Sequence, residues 1–155
     1  MVTKVLMVCL GNICRSPLAE GILKEKVNSN QIFVDSAGTG GFHIGKQPDH
    51  RSIAVAKKYN IDIANQRCRQ FTIQDFDTFD FIFVMDKSNY TNVIAKARNT
   101  DDISKVQLLL SENRTPTKEV PDPYYDEDDG FEQVYHLINN ACDHIAKNLN
   151  AIHNS

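Results

Sequence analysis

The chain has no stretch of about 18 apolar residues, which excludes a long apolar helix of the membrane-spanning kind. Its apolar start, "VLMVCL" at 5–10, runs into Gly11, Asn12 and Arg15 instead of a small-residue cleavage site. There is no internal repeat, no low-complexity tract and no linker rich in Gly, Ser or Pro, so one continuous domain is expected over residues 1–155. A dominant charge sign is also missing: 17 Lys and Arg stand interspersed with 20 Asp and Glu, for a formal net charge of −3. Neither nucleic acid nor an anionic membrane is expected as a partner, and any basic site must be local. Cysteine is sparse. Cys9, Cys14, Cys68 and Cys142 stand at irregular spacings in an ordinary globular composition, which favours reduced thiols over a disulfide framework. These absences set the expectation of a cytoplasmic protein, monomeric, with a core large enough to need no disulfide or metal staple.

What is present is an alternation of strand and helix signals. Residues 4–9 form a short apolar run suited to a strand buried on both faces, and "SPLAEGILKEKV" at 16–27 carries Leu18, Ile22, Leu23 and Val27 at helical spacing, with Pro17 in the first turn. "IFVDS" at 32–36 predicts a second strand and "HRSIAVAKKY" at 50–59 a second helix. "FDFIFVM" from Phe79 to Met85 is the strongest strand signal, followed by a helix in "SNYTNVIAKA" with Ser88 as its cap. "VQLLL" at 106–110 predicts a fourth strand, and Phe131 to Leu149 a long amphipathic helix. Strands alternating with helices predict an α/β fold: a doubly wound, four-stranded parallel sheet with helices on both faces, Rossmann-like in plan. Ligands in such sheets bind beyond the carboxyl ends of the strands, where residues 9–16 fall.

Those residues, "CLGNICRS", join the first strand to the first helix. A loop at a helix N-terminus presents several backbone N–H groups to one point and adds the partial positive charge of the helix dipole, which makes an anion site suited to phosphate. Gly11 allows a tight turn, Asn12 tolerates a left-handed backbone and can tie the loop down, and Ser16 suits the cap before Pro17. Arg15 supplies a planar fork matched to two phosphate oxygens. In the same positive field the Cys9 thiol should ionise well below its free value of about 8.5, giving a nucleophile at the base of an anion cradle. The segment is not a nucleotide-binding glycine loop, for no Gly-Lys-Ser/Thr follows, and it is not a zinc site, for no second Cys/His pair stands at ligand spacing. No metal and no cofactor is expected.

A leaving group needs a proton. "VPDPYYDEDDG" at 120–130 offers Asp122, fixed between Pro121 and Pro123 in a stiff loop after the fourth strand and on the same rim as Cys9. As a general acid it would contribute about 10²- to 10⁴-fold, with Tyr124 and Tyr125 beside an aromatic leaving group. The run Asp126, Glu127, Asp128 and Asp129 suits a solvated start to the last helix, favoured by its dipole, and misses the calcium-loop pattern.

"VCLGNICRSP" together with "DPYY" resembles the low-molecular-weight protein tyrosine phosphatase family, and "DSAG" at 35–38, "TFDFIFVMDKSN" at 78–89 and "FEQVY" at 131–135 extend the resemblance over essentially the whole chain. The resemblance implies hydrolysis of phosphotyrosine in proteins without metal, with phosphate as product or inhibitor. Cys9 would be the nucleophile, Arg15 the phosphate clamp and Asp122 the acid that later activates water. Leu10, Gly11, Asn12, Ile13, Cys14 and Ser16 would complete the phosphate-binding loop, with Ser36 supporting it. Ile13, Phe42, Tyr124 and Tyr125 would line the aromatic slot, and Cys14 would form a reversible disulfide with Cys9. Cys68 receives no role, and His43, His50, His136, His144 and His153 are assigned surface or structural places. Three alternatives remain open at this point: a protein arginine phosphatase, which would typically carry Thr at Ile13 and lack the Tyr pair; an arsenate reductase, which would need two further cysteines where residues 80–100 have none; and a non-catalytic phosphotyrosine-binding module.

Overall fold

The computed structural model describes residues 1–112, 116–126 and 128–154. Four strands, β1 (Thr3–Cys9), β2 (Ile32–Gly38), β3 (Phe81–Val84) and β4 (Val106–Leu108), pair all-parallel in the order β2-β1-β3-β4. The helices are α1 (Arg15–Lys24), α2 (His50–Lys58), α3 (Asp75–Thr78), α4 (Lys87–Ile94), α5 (Thr100–Ser104) and α6 (Asp128–Asn154). Among the described residues no helix is long and apolar enough to cross a membrane.

Two apolar clusters hold the layers together, one on each face of the sheet. Successive strand side chains point to opposite faces, and β1 obeys this while burying both: Val5, Met7 and Cys9 join the cluster with α1, α2 and α6, while Leu6 and Val8 join the one with α3 and α4. The doubly wound architecture expected from the sequence is thus the one observed. Cys9 shares its face with Val5 and Met7, so strand parity alone delivers its sulfur to the start of α1.

Local outcomes differ from expectation where a tertiary partner intervenes. Phe79 ends α3 instead of opening β3, and β4 stops at Leu108, although Leu109 N–H still bonds Val84 O at 2.8 Å. Asp86, not Ser88, caps α4: its carboxylate accepts from Asn89 N–H while the Asn89 side chain accepts from Asp86 N–H. The short α3 and α5, of 4 and 5 residues, span too little chain to show a helical period. The long helix begins at Asp128, within the acidic run as expected, although Glu127 lies outside the described residues.

Candidate active site

β1 ends at Cys9 and α1 starts at Arg15, so residues 10–14 form the connecting loop at the carboxyl edge of the sheet. Its carbonyls are drawn outward. Cys9 O accepts from Thr39 N–H at 2.9 Å, Leu10 O from Gly40 N–H at 2.8 Å and Ile13 O from Asp49 N–H at 2.8 Å. Asn12 O accepts from Cys68 Sγ–H at 2.8 Å and Cys14 O from Ser52 Oγ–H at 3.2 Å. A loop whose carbonyls are satisfied from outside leaves its N–H groups for the interior, the polarity an anion cradle requires. Gly38, at the end of β2, permits this close approach: a Cβ there would stand 2.8 Å from Leu10 O and 3.0 Å from Asn12 N.

Asn12 adopts the left-handed conformation, φ 57°, and is held there on every side. Its Oδ1 accepts from Arg69 N–H at 2.9 Å, and its Nδ2 donates to Ser16 Oγ at 2.8 Å and Ser36 Oγ at 3.0 Å. Ser36 then donates to Glu20 Oε1 at 2.6 Å, and Lys24 pairs with Glu20 Oε2 at 2.6 Å. Ser16 Oγ accepts from Asn12, and its proton can go to Cys9 Sγ, 3.0 Å away, or to Ala37 O at the longer distance of 3.4 Å; Ser16 N–H points at the same sulfur from 3.4 Å. The sulfur thus faces a hydroxyl and an amide donor. This is why Ser16 does not cap α1 as expected; Cys14 takes that position without a side-chain bond.

Arg15 is 2% exposed, and its Nη1 is committed to the scaffold through Asp86 Oδ2 at 2.6 Å and Val120 O at 3.0 Å. Nη2 remains on the side of the site, 3.6 Å from Asp122 Oδ2. Burial opposes the guanidinium charge, but the negative groups around it, Cys9 before Asp86 and Asp122, push the Arg15 pKa above its ordinary value. Asp122 accepts from Tyr124 N–H with its other oxygen, at 3.1 Å. Burial chiefly, with Asp49 and Cys9 adding to it, drives the Cys14 thiol far up, so Cys14 is a neutral thiol at ordinary pH.

Cys9, Arg15, Ile13, Cys14, Asp122, Tyr124 and Phe42 border one cavity of about 70 Å³, so the residues singled out from sequence do converge. Tyr125 is the exception: it is 94% exposed, packs edge-on to Tyr124 with centroids 5.0 Å apart, and does not line the cavity. His43, given only a structural place above, does border it, beside Tyr124 (centroids 6.4 Å) and over Gly11. Asp86 and Cys68 were also missed. Asp86 follows a buried strand at the rim where ligands bind in such sheets, a signal that was available; Cys68 carried none. A larger cavity of about 410 Å³, between Phe81, Phe83 and the far half of α6, contains neither cysteine nor arginine. Among the described residues no group of three His, Cys, Asp or Glu side chains is placed to hold a metal ion.

Fold and loop together define an α/β protein with a phosphate-sized anion cradle, a cysteine at its base and a buried arginine on its wall. Residues 4–154 match the family model described as low molecular weight phosphotyrosine protein phosphatase, and the chain belongs to that family. It is 40% identical over 143 residues to the human low molecular weight phosphotyrosine protein phosphatase, covering 89% of this chain and 90% of that one. The Schizosaccharomyces pombe protein of the same name is 41% identical over 139 residues, covering 85% and 87%. A crystal structure of a protein tyrosine phosphatase from Entamoeba histolytica, with Hepes in its active site, superposes with a TM-score of 0.90 at 34% identity, covering 96% of this chain and 97% of that one.

Proposed function

We propose that this protein hydrolyses phosphotyrosine in proteins, and small aryl phosphates, by way of a phosphocysteine at Cys9. The loop amides and Arg15 Nη2 bind the phosphoryl oxygens. Cys9 Sγ attacks phosphorus as the P–O ester bond breaks, and the Asp122 carboxyl gives its proton to the departing aryl oxygen. In the second step water attacks phosphorus, the Asp122 carboxylate takes its proton, and the P–S bond breaks to return Sγ and release phosphate. Ser16 donates to the sulfur in its leaving state, which lowers the barrier to that return. The observation that carries this reading is that Cys9, Arg15 and Asp122 line one cavity while the buried Ser16 Oγ stands 3.0 Å from Cys9 Sγ behind it. Ile13, His43 and Tyr124 at the mouth suit a flat aromatic ring.

Cys14, in the same loop, is proposed as the resolving thiol. Peroxide would convert Cys9 to the sulfenic acid, and attack by Cys14 sulfur on it would expel water and form the disulfide, which external thiol reduces. All four cysteines are free thiols in the structure, so Cys9 and Cys14 stand in the reduced state from which this cycle starts.

The test is phosphate release from a phosphotyrosine peptide and a phosphoarginine peptide side by side, with Cys9→Ser as control. Cys9-dependent release from phosphotyrosine is expected. Preference for phosphoarginine would overturn the substrate, and release by Cys9→Ser would overturn the mechanism.

A further inference from the structure

Residues 116–126, which carry Asp122, contain no helix or strand, so what holds them matters as much as what they bear. Before Asp122 the segment is anchored by bonds from Val120 N–H to Met85 O at 2.8 Å, from Arg15 Nη1 to Val120 O at 3.0 Å and from Lys87 N–H to the Glu119 carboxylate at 2.9 Å; after it, Tyr124 N–H to Asp122 Oδ1 at 3.1 Å and Asp126 N–H to Pro123 O at 2.8 Å are bonds within the segment. The remaining carbonyls of Tyr124 and Asp126 both point at one side chain from outside the segment. Arg51, in the first turn of α2, donates from Nη2 to Tyr124 O at 2.9 Å and from Nη1 to Asp126 O at 3.0 Å. Its guanidinium also lies over the Phe131 ring, 4.5 Å from the centroid, and 5.8 Å from that of Tyr124.

The other edge of the same guanidinium is spoken for. Nε and Nη2 grip Asp49 at 3.0 and 2.9 Å, and Asp49 N–H donates to Ile13 O at 2.8 Å, inside the phosphate loop. Asp49 and Arg51 therefore form a clasp with one end on the loop that holds Cys9 and the other on the segment that holds Asp122. A planar fork can satisfy a carboxylate and two carbonyls at fixed angles; a lysine ammonium is a point charge and cannot.

We propose that Arg51 is a positioning residue for general acid catalysis: through Asp49 it locks the Asp122 segment to the phosphate loop and fixes the distance between acid and nucleophile. It touches neither substrate nor sulfur and acts only through Asp122. This rests on the assignment of Asp122 as the acid under Proposed function. Its signature is a dependence on the leaving group. An aryl oxygen that leaves easily needs no proton, so loss of Arg51 should matter little there, and should matter most where the leaving phenol is poor.

The experiment measures kcat and KM of Arg51→Ala and Arg51→Lys on aryl phosphates of graded leaving-group acidity, with inorganic phosphate as competitive inhibitor. Out of the 10²- to 10⁴-fold that a general acid typically supplies, a loss of about 10- to 100-fold in kcat/KM is expected for unsubstituted phenyl phosphate. For dinitrophenyl phosphate kcat/KM, which reports formation of the phosphocysteine and not its hydrolysis, should be unaltered, while kcat falls with the second step in which Asp122 takes the proton of water; phosphate inhibition should not change, and Arg51→Lys should fail to rescue. In an Asp122→Asn background Arg51→Ala should cost nothing further, since the residue it positions has lost its proton. Hydrogen exchange should quicken at the Asp126 amide in both Arg51 variants. An equal loss of kcat/KM on every leaving group, an additive loss with Asp122→Asn, or full rescue by Lys would each overturn the proposal. If the unaltered protein released phosphate from no aryl ester, the functional reading would fall, while unchanged exchange at Asp126 would separately refute the clasp.

Discussion

Asp86 accepts a hydrogen bond from Arg15 Nη1 with one carboxylate oxygen and from Asn89 N–H, the cap of α4, with the other. Asp86→Asn removes the charge and leaves one acceptor for two donors. Hydrogen bonds to charged groups are worth about 1.5–3 kcal/mol, so kcat/KM should fall by roughly ten- to a hundredfold. Inhibition by phosphate should weaken in parallel; an unchanged phosphate affinity would show that Arg15 needs no such anchor. The thiols differ from one another in the same residue-by-residue way. Burial pushes Cys68 up to about 11 and Cys142 up to about 12, and drives Cys14 further still. Brief alkylation of the native protein at neutral pH should therefore leave these three untouched and modify Cys9, as mapped by peptide mass. Label on Cys14 first would contradict that order. Cys9, Arg15 and Asp122 were legible in sequence because each sits in a local pattern with its own chemistry: a strand-to-helix loop, and an acid between prolines. Cys68 and His43 were not, since each acquires its role from a partner more than 30 positions away in the chain, or from a ring across the cavity mouth; the place of Asp86 at the end of a buried strand marked the rim, but not its pairing with Arg15.

At the scale of elements, the phosphate loop is held less by its own residues than by what presses on it. The end of β2 is the tightest contact. Gly38→Ala would put a methyl 2.8 Å from Leu10 O, where only backbone can yield, so the loop must shift. Overpacking of this kind costs about 1–3 kcal/mol, and the midpoint of urea unfolding should fall accordingly. Activity should fall further than stability accounts for, by roughly 10²-fold if the reacting groups are displaced by as much as 1 Å. An active, destabilised Gly38→Ala would mean that the loop relaxes without losing its geometry. Element type was readable from hydrophobic period, and the parallel, doubly wound plan from the alternation of strand and helix; the order β2-β1-β3-β4 came from the structure. Element ends were not, and the reason is the same at Ser16 and Ser88. Each is a good cap by residue type, but Ser16 is recruited by the Cys9 sulfur and Asn12, and Asp86 takes the capping role from Ser88.

Across the molecule, several carboxylates are depressed by their cationic partners. Arg98 does this to Asp77 and Asp102, Lys58 with Tyr59 to Glu132, and at Asp49 the bonds from Arg51 outweigh burial, which acts in the opposite direction. A carboxylate whose folded pKa lies below its unfolded value of about 4 adds stability that is complete above that value and is lost as pH falls through the folded one. Stability should therefore hold steady from neutrality to about pH 5 and decline below pH 4. Urea midpoints at stepped pH should show this, with a shallower acid decline in Asp49→Asn; stability that rises on acidification would contradict the pairing. The most direct measurement is rapid quench of the protein during turnover of an aryl phosphate, followed by mass analysis of the peptides. A phosphoryl group on the segment from Val5 to Arg15, placed on Cys9 and absent in Cys9→Ser, is the predicted result. Turnover at full rate with no phosphoryl group on that segment, or with the group on a histidine elsewhere, would contradict the account.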